Sequence, residues 1–143
     1  MTIKINPLLL QAIYANGESA YPEEGAGLLL GRADGEEREV LSLVHMPNER
    51  EDGARHNRFL IDPKALLRGE QEAMRQGLDV VGIFHSHPDS PNRPSEYDRE
   101  WALPWYSYII TTVQNGKAVN SRSWRLNEDR LAYTEEQIIQ TSQ

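Results

Sequence analysis

An apolar run that ends in two histidines constrains the fold of this chain more than any other feature. Residues 80–84 read Val-Val-Gly-Ile-Phe, which is typical of a buried strand, and His85-Ser86-His87 follows directly. Because side chains alternate along a strand, His85 and His87 are predicted to point to one face and to converge on one metal ion. Alone, the pair indicates a metal only weakly, since imidazoles also occur at polar strand ends.

The remaining pattern predicts a layered α/β or α+β structure with about six short strands and two main helices. Apolar or alternating segments bounded by turn residues predict six strands, at 3–5, 25–31, 40–46, 78–87, 106–113 and 118–126, and 58–61 is a weaker seventh candidate. Capping residues followed by proline predict helices from Asn6-Pro7 to about Gly17 and from Asp62-Pro63 to Gly77, with a third over 95–103. Hairpins beside one βαβ-like passage predict a mixed sheet.

Length and charge exclude several classes of protein. The chain has 143 residues, 15 basic and 22 acidic, with a net charge of −7 and no cysteine. We expect a single domain over 1–143, no nucleic-acid surface and no membrane helix. Without cysteine, any metal ligand is a histidine or a carboxylate. The first residues lack a signal-peptide pattern, which predicts a cytoplasmic protein.

A carboxylate and a serine lie shortly after the histidine pair. Ser95-x-x-Asp98 predicts a capping box at a helix N-terminus. The alternative is that Asp98 joins His85 and His87 as a third metal ligand, and we expect Asp98 to serve only one of these two roles. Two imidazoles and one carboxylate leave a fourth tetrahedral position for water, which is the form of a catalytic zinc site.

Such a site also needs a general base, and Glu23 and Glu24 precede the strand predicted at 25–31. Neighbouring side chains on a strand face opposite ways, so one of the two at most points to the site. The alternative, which the residues alone favour, is that both side chains are solvated.

Three short motifs together resemble the signature of the JAMM (MPN-plus) zinc metalloprotease and isopeptidase family, in its minimal prokaryotic form. In chain order they are Glu24-x-x-Gly27, His85-x-His87-Pro88 and Pro94-Ser95-x-x-Asp98. The order of helices and strands around them extends the resemblance over most of the chain. Ala26 departs from it, since many relatives carry cysteine there, and we expect this to be a change in packing.

The resemblance implies a cytidine-deaminase-like sandwich, with a mixed, mostly antiparallel sheet flanked by two main helices. It implies zinc held by His85, His87 and Asp98, a zinc-bound water as nucleophile, Glu24 as general base and Ser95 as hydrogen-bond donor to the oxyanion. It also implies hydrolysis after the C-terminal Gly-Gly of a ubiquitin-like or sulfur-carrier protein. The leaving group stays open between a lysine side chain, a main-chain amine and a free amino acid.

The main alternative is a catalytically silent MPN-type scaffold that binds partners and no metal. Such domains usually lose metal ligands, whereas this chain retains them, and zinc content distinguishes the two readings. Four aromatic residues are predicted to be core, with an aromatic wall for a Gly-Gly tail as the alternative: Trp101, Trp105, Tyr106 and Tyr108. The charged stretch 49–52 is predicted to be a solvated loop, with a mobile flap as the alternative.

Overall fold

The computed structural model describes residues 1–46 and 63–142, which form seven strands and three helices. The helices are α1 (Pro7–Ala20), α2 (Pro63–Arg75) and α3 (Glu96–Trp101). The strands are β1 (Thr2–Ile5), β2 (Ala26–Asp34), β3 (Glu37–Met46), β4 (Asp79–Pro88), β5 (Ser107–Gln114), β6 (Lys117–Leu126) and β7 (Tyr133–Gln140). The strand predicted at 58–61, the charged stretch 49–52 and the predicted cap Asp62 lie outside the described residues.

Helix α1 begins as the sequence predicts but ends later. The side chain of Asn6 accepts a hydrogen bond of 2.9 Å from Leu9 N, and proline occupies the first turn. The helix continues through Gly17 because this glycine packs against the sheet. A Cβ at Gly17 would lie 2.9 Å from Val113 Cγ2 and 3.1 Å from Ser86 Cβ. Gly17 therefore permits close approach to β4 and β5 instead of ending the helix.

The strands form one mixed sheet in the order β1-β3-β2-β4-β5-β6-β7, which closes into a barrel. Within the described residues, four strand pairs are antiparallel: β2–β3, β2–β4, β5–β6 and β6–β7. Parallel pairing joins β1 to β3, β4 to β5, and β1 to β7. The mixed, mostly antiparallel sheet is as predicted, whereas its closure by β7 is not, because that segment showed no strand signal.

The core lies on both sides of β2, which explains why this strand is a continuous apolar run. Leu29 packs with Ile13 of α1, while Leu28 and Leu30 pack with Ala65 and other residues under α2. Alternation along β2 thus directs neighbouring leucines to opposite helices, which confirms that the two main helices flank the sheet. No helix within 1–46 or 63–142 combines the length and apolarity needed to cross a membrane.

Candidate metal centre

Strand β4 brings His85 and His87 together as predicted. Both side chains are buried, with 1% and 6% of the residue exposed, and their Nε2 atoms lie 3.1 Å apart. Between them, Ser86 faces the other way, toward α1, and its Oγ accepts a hydrogen bond of 2.8 Å from Gly25 N. Alternation along the strand therefore separates two candidate ligands from a residue that supports the neighbouring segment.

Asp98 reaches the same point from the first turn of α3. The capping box is complete, because Asp98 N donates to Ser95 Oγ at 3.0 Å and Ser95 N donates to Asp98 Oδ2 at 2.8 Å. The same Oδ2 lies 3.2 Å from His87 Nε2 and 3.5 Å from His85 Nε2. The predicted capping box is therefore confirmed, and it does not keep the carboxylate away from the imidazoles, while the role of Asp98 as a metal ligand stays a prediction. A carboxylate oxygen has more than one lone pair, so it can accept the capping hydrogen bond and still face the imidazoles.

The three candidate donor atoms form a triangle that fits a tetrahedral ion. Its sides are the distances of 3.1, 3.2 and 3.5 Å between His85 Nε2, His87 Nε2 and Asp98 Oδ2. Ligands at about 2.0–2.2 Å from zinc in a tetrahedron lie about 3.3–3.6 Å from one another. The spacing of this donor set thus matches a zinc-sized site to within a few tenths of an ångström.

A loop that follows β4 fixes the orientation of His87. The Nδ1 atom of His87 lies 2.7 Å from the carbonyl oxygen of Pro91, which belongs to this loop. Because a carbonyl oxygen only accepts hydrogen bonds, Nδ1 carries the proton, and the other ring nitrogen, Nε2, faces Asp98. The next residue, Asn92, is buried and donates through Nδ2 to the carbonyl and side-chain oxygens of Asn120. The carbonyl of Asn92 accepts from Trp124 Nε1 at 3.0 Å. Sequence reasoning missed these supports, because their partners lie about thirty residues away in β6.

Glu24 is the buried member of the Glu23–Glu24 pair, at 4% exposure, whereas Glu23 is exposed. The pairing of β2 with β4 sets Ala26 opposite His85, and Ser86 N donates to Gly25 O at 3.0 Å just beyond it. This places Glu24 beside the imidazoles.

Ligand atoms of Glu24, His85 and His87 all lie within 4.8 Å of one another, so this buried group could hold a metal ion. Gly27 of the same motif faces the ring of Phe84, where a Cβ would lie 2.3 Å from Cζ. The Glu-x-x-Gly spacing thus combines a buried carboxylate with a close strand contact.

The charges of the cluster shift its pKa values in opposite directions. Burial lowers the pKa of His85. Burial also acts to lower the pKa of His87, but the hydrogen bond and charge of Asp98, with the charge of Glu24, outweigh it and raise that pKa. Burial acts to raise the pKa of Asp98, and the two imidazoles reverse this and hold it well below its usual range. Asp98 is therefore an anion that faces two imidazoles, which is the charge arrangement a divalent cation requires.

Among the described residues, two pockets border the cluster. On one side, a cavity of about 150 Å³ is lined by His85 and Asp98 together with apolar and aromatic residues: Leu66, Ile83, Tyr97, Trp101, Ala102, Leu103, Tyr106 and Tyr108. On the other side, a cleft of about 330 Å³ is lined by Glu24, His87, Ser90, Pro91, Arg93 and Ser95. The predicted core position is correct for Tyr108, but Trp101 and Trp105 are 66% and 48% exposed, so the core prediction is wrong for them.

The family model described as "Prokaryotic homologs of the JAB domain" matches residues 7–127. The chain belongs to this family. The match spans the Glu-x-x-Gly motif, the histidine pair and Asp98, and the mixed sheet with its helices has the cytidine-deaminase-like α+β fold expected from the sequence.

Individual relatives agree with this membership. A solution structure from Desulfitobacterium hafniense is 31% identical, with a TM-score of 0.86 over 99% of this chain and 94% of its own. A Thermus thermophilus protein named "Probable TtuB-protein conjugate cleaving protease" is 37% identical over 87 residues, which is 59% of this chain and 54% of that protein. A Pyrococcus furiosus protein named "Desampylase" is 39% identical over 70 residues, which is 49% of this chain and 48% of that protein. The JAB domain thus aligns with about half the length of these two curated relatives.

Proposed function

We propose that this JAB domain is a zinc-dependent metalloprotease or isopeptidase that hydrolyses the bond after the C-terminal Gly-Gly of a ubiquitin-like or sulfur-carrier protein. The observation that carries the proposal is the triangle of donor atoms from His85, His87 and Asp98 beside the buried carboxylate of Glu24. The names of the Thermus and Pyrococcus relatives support the reaction class and the kind of substrate.

His85, His87 and Asp98 would hold the zinc ion, because their donor atoms have tetrahedral spacing and the proton on His87 Nδ1 is directed to Pro91. When bound, zinc supplies a Lewis acid that polarises the scissile carbonyl and lowers the pKa of water. Glu24 is assigned a different task, because its carboxylate borders the cleft that a substrate can enter.

Glu24 acts as the general base in this proposal. Its carboxylate takes a proton from the attacking water and delivers it to the leaving nitrogen, so that the C–N bond breaks and a carboxylate and an amine are released. Ser95 Oγ accepts a hydrogen bond from Asp98 N, which leaves its own proton to donate to the oxyanion. One such donor is worth about 2.7–4 kcal/mol in the transition state.

The test measures zinc per chain and cleavage in the same preparations. Small Gly-Gly-ending proteins encoded in the same genome are fused to a reporter, and mass spectrometry locates the cut. We expect Glu24→Gln to keep zinc and lose cleavage, and His87→Ala to lose both. Ser95→Ala should lower kcat about 100-fold with a smaller change in KM.

The scaffold alternative makes the opposite prediction, namely a wild-type chain without stoichiometric zinc. Near-full cleavage by Glu24→Gln would remove Glu24 from the mechanism.

A single domain over 1–143 and a cytoplasmic location stay predictions.

A further inference from the structure

The cleft that Glu24 borders contains a charged side chain that the proposed mechanism does not use, that of Arg93. Arg93 is the basic residue among the groups that line this cleft, which also include Glu24, His87 and Ser95. It is exposed, and within residues 1–46 and 63–142 no hydrogen bond or ion pair engages its guanidinium. A positive charge thus lies next to the candidate metal centre of a chain whose net charge is −7.

The backbone around Arg93 is held firmly, so the guanidinium projects from a defined point. Asn92 is buried and bonded through its side chain to Asn120 and through its carbonyl to Trp124. Pro94 follows directly and restricts Arg93 to extended backbone conformations. The long side chain of Arg93 therefore extends from a fixed backbone position at the edge of this cleft.

The position of Glu24 decides which part of a substrate meets Arg93. This step rests on the proposed function, in which Glu24 delivers a proton to the leaving nitrogen. The leaving group must therefore occupy the cleft lined by Glu24 and Arg93. A carboxylate on that leaving group would be repelled by Glu24 unless a cation lay nearby, and a guanidinium binds a carboxylate through two parallel hydrogen bonds.

We propose that Arg93 binds the α-carboxylate of the leaving residue, so that the preferred leaving group is a single amino acid attached through its α-amine. In such a substrate the free carboxylate lies one carbon away from the leaving nitrogen. In an isopeptide to a lysine side chain, four methylenes separate the leaving nitrogen from the α-carbon, and the carboxyl group is usually part of another peptide bond. Arg93 therefore distinguishes between the leaving groups that the sequence left open.

The test uses the Gly-Gly-ending protein cleaved in the assay above, extended by one alanine. The alanine is prepared as the free acid and as the C-terminal amide, which differ only in the charge that Arg93 would bind. We expect wild type to cleave the acid with a kcat/KM about tenfold higher than the amide, since a charge-assisted hydrogen bond is lost in the amide. In Arg93→Gln the ratio should fall to near one, and Arg93→Lys should retain part of it.

Arg32→Gln is the matched control, because Arg32 is an exposed arginine near the far end of β2, in register with Glu39. It should leave the acid-to-amide ratio of kcat/KM at the wild-type value.

A binding measurement separates recognition of the substrate from its turnover. Calorimetry with Glu24→Gln should give tighter binding of the acid than of the amide, and Glu24→Gln/Arg93→Gln should lose that difference.

An acid-to-amide ratio that is equal in wild type and Arg93→Gln overturns the role of Arg93 while leaving the proposed function intact. Faster cleavage of a lysine isopeptide than of the alanine acid by wild type overturns it as well. A wild-type chain that binds zinc but cleaves none of these substrates contradicts the proposed function, and the role of Arg93 with it.

Discussion

The Ser86→Ala variant tests whether the segment that carries Glu24 is held in place independently of the metal ligands. The Ser86 side chain lies on the opposite face of β4 from the two imidazoles, and Ser86 is only 2% exposed. Its Oγ accepts the 2.8 Å hydrogen bond from Gly25 N. Alanine leaves that N–H buried without its acceptor, which costs about 1–3 kcal/mol. We therefore expect the free energy of unfolding to fall by that amount.

Urea unfolding followed by tryptophan fluorescence measures this loss, provided that the m-value is unchanged. Ser42→Ala removes the same hydroxyl from a half-buried position of β3 and should change the free energy of unfolding by less than about 0.5 kcal/mol. Zinc content should stay at the wild-type level in Ser86→Ala, while cleavage slows because Gly25 adjoins Glu24. A loss of stability no larger than that of the control, or a loss of zinc, would refute this reasoning.

Three further predictions concern the barrel. Gly27→Ala sets a Cβ 2.3 Å from the Phe84 ring, so the free energy of unfolding in urea should fall by about 1–3 kcal/mol. Arg125→Met removes the guanidinium that lies 2.9 Å from the buried Glu136 carboxylate, so the free energy of unfolding should fall by about 3–5 kcal/mol. The double variant Arg125→Met/Glu136→Leu should recover most of this loss in a double-mutant cycle. Burial raises the pKa of Tyr108 to about 12, so its contribution to stability is complete below pH 10 and is lost as the pH rises through 12. Tyr108→Phe should flatten the decline of the unfolding free energy across that range.

The elements that were predicted correctly depend on residues close together in the sequence. Asn6 caps α1 through the nitrogen of Leu9, and Ser95 caps α3 through the nitrogen of Asp98. The histidine pair lies on one face of β4 because the spacing of two residues requires it. Each of these features depends on at most four consecutive residues and on the regular geometry of a helix or a strand. The sequence alone is therefore enough to predict them.

The features that were missed depend on partners far along the chain. Strand β7 was missed because its fully buried residue is Glu136, which reads as a surface residue until Ser123 and Arg125 of β6 are beside it. The role of the Pro91 carbonyl also required the folded loop, because only the loop turns that oxygen toward His87 Nδ1. The motif also does not show that one oxygen of Asp98 can accept the capping hydrogen bond and still face the two imidazoles, because that needs the folded position of α3 beside β4.

The parallel contact between β1 and β7 has a consequence for biosynthesis. Thr2 lies opposite Gln137, so β1 cannot form this pairing until β7, more than 130 residues further along the chain, has left the ribosome. Until then β1 and β6 each have an unpaired edge, and such edges add strands from other chains. We therefore expect the chain to aggregate more during rapid expression than after folding, and slower translation should reduce this aggregation.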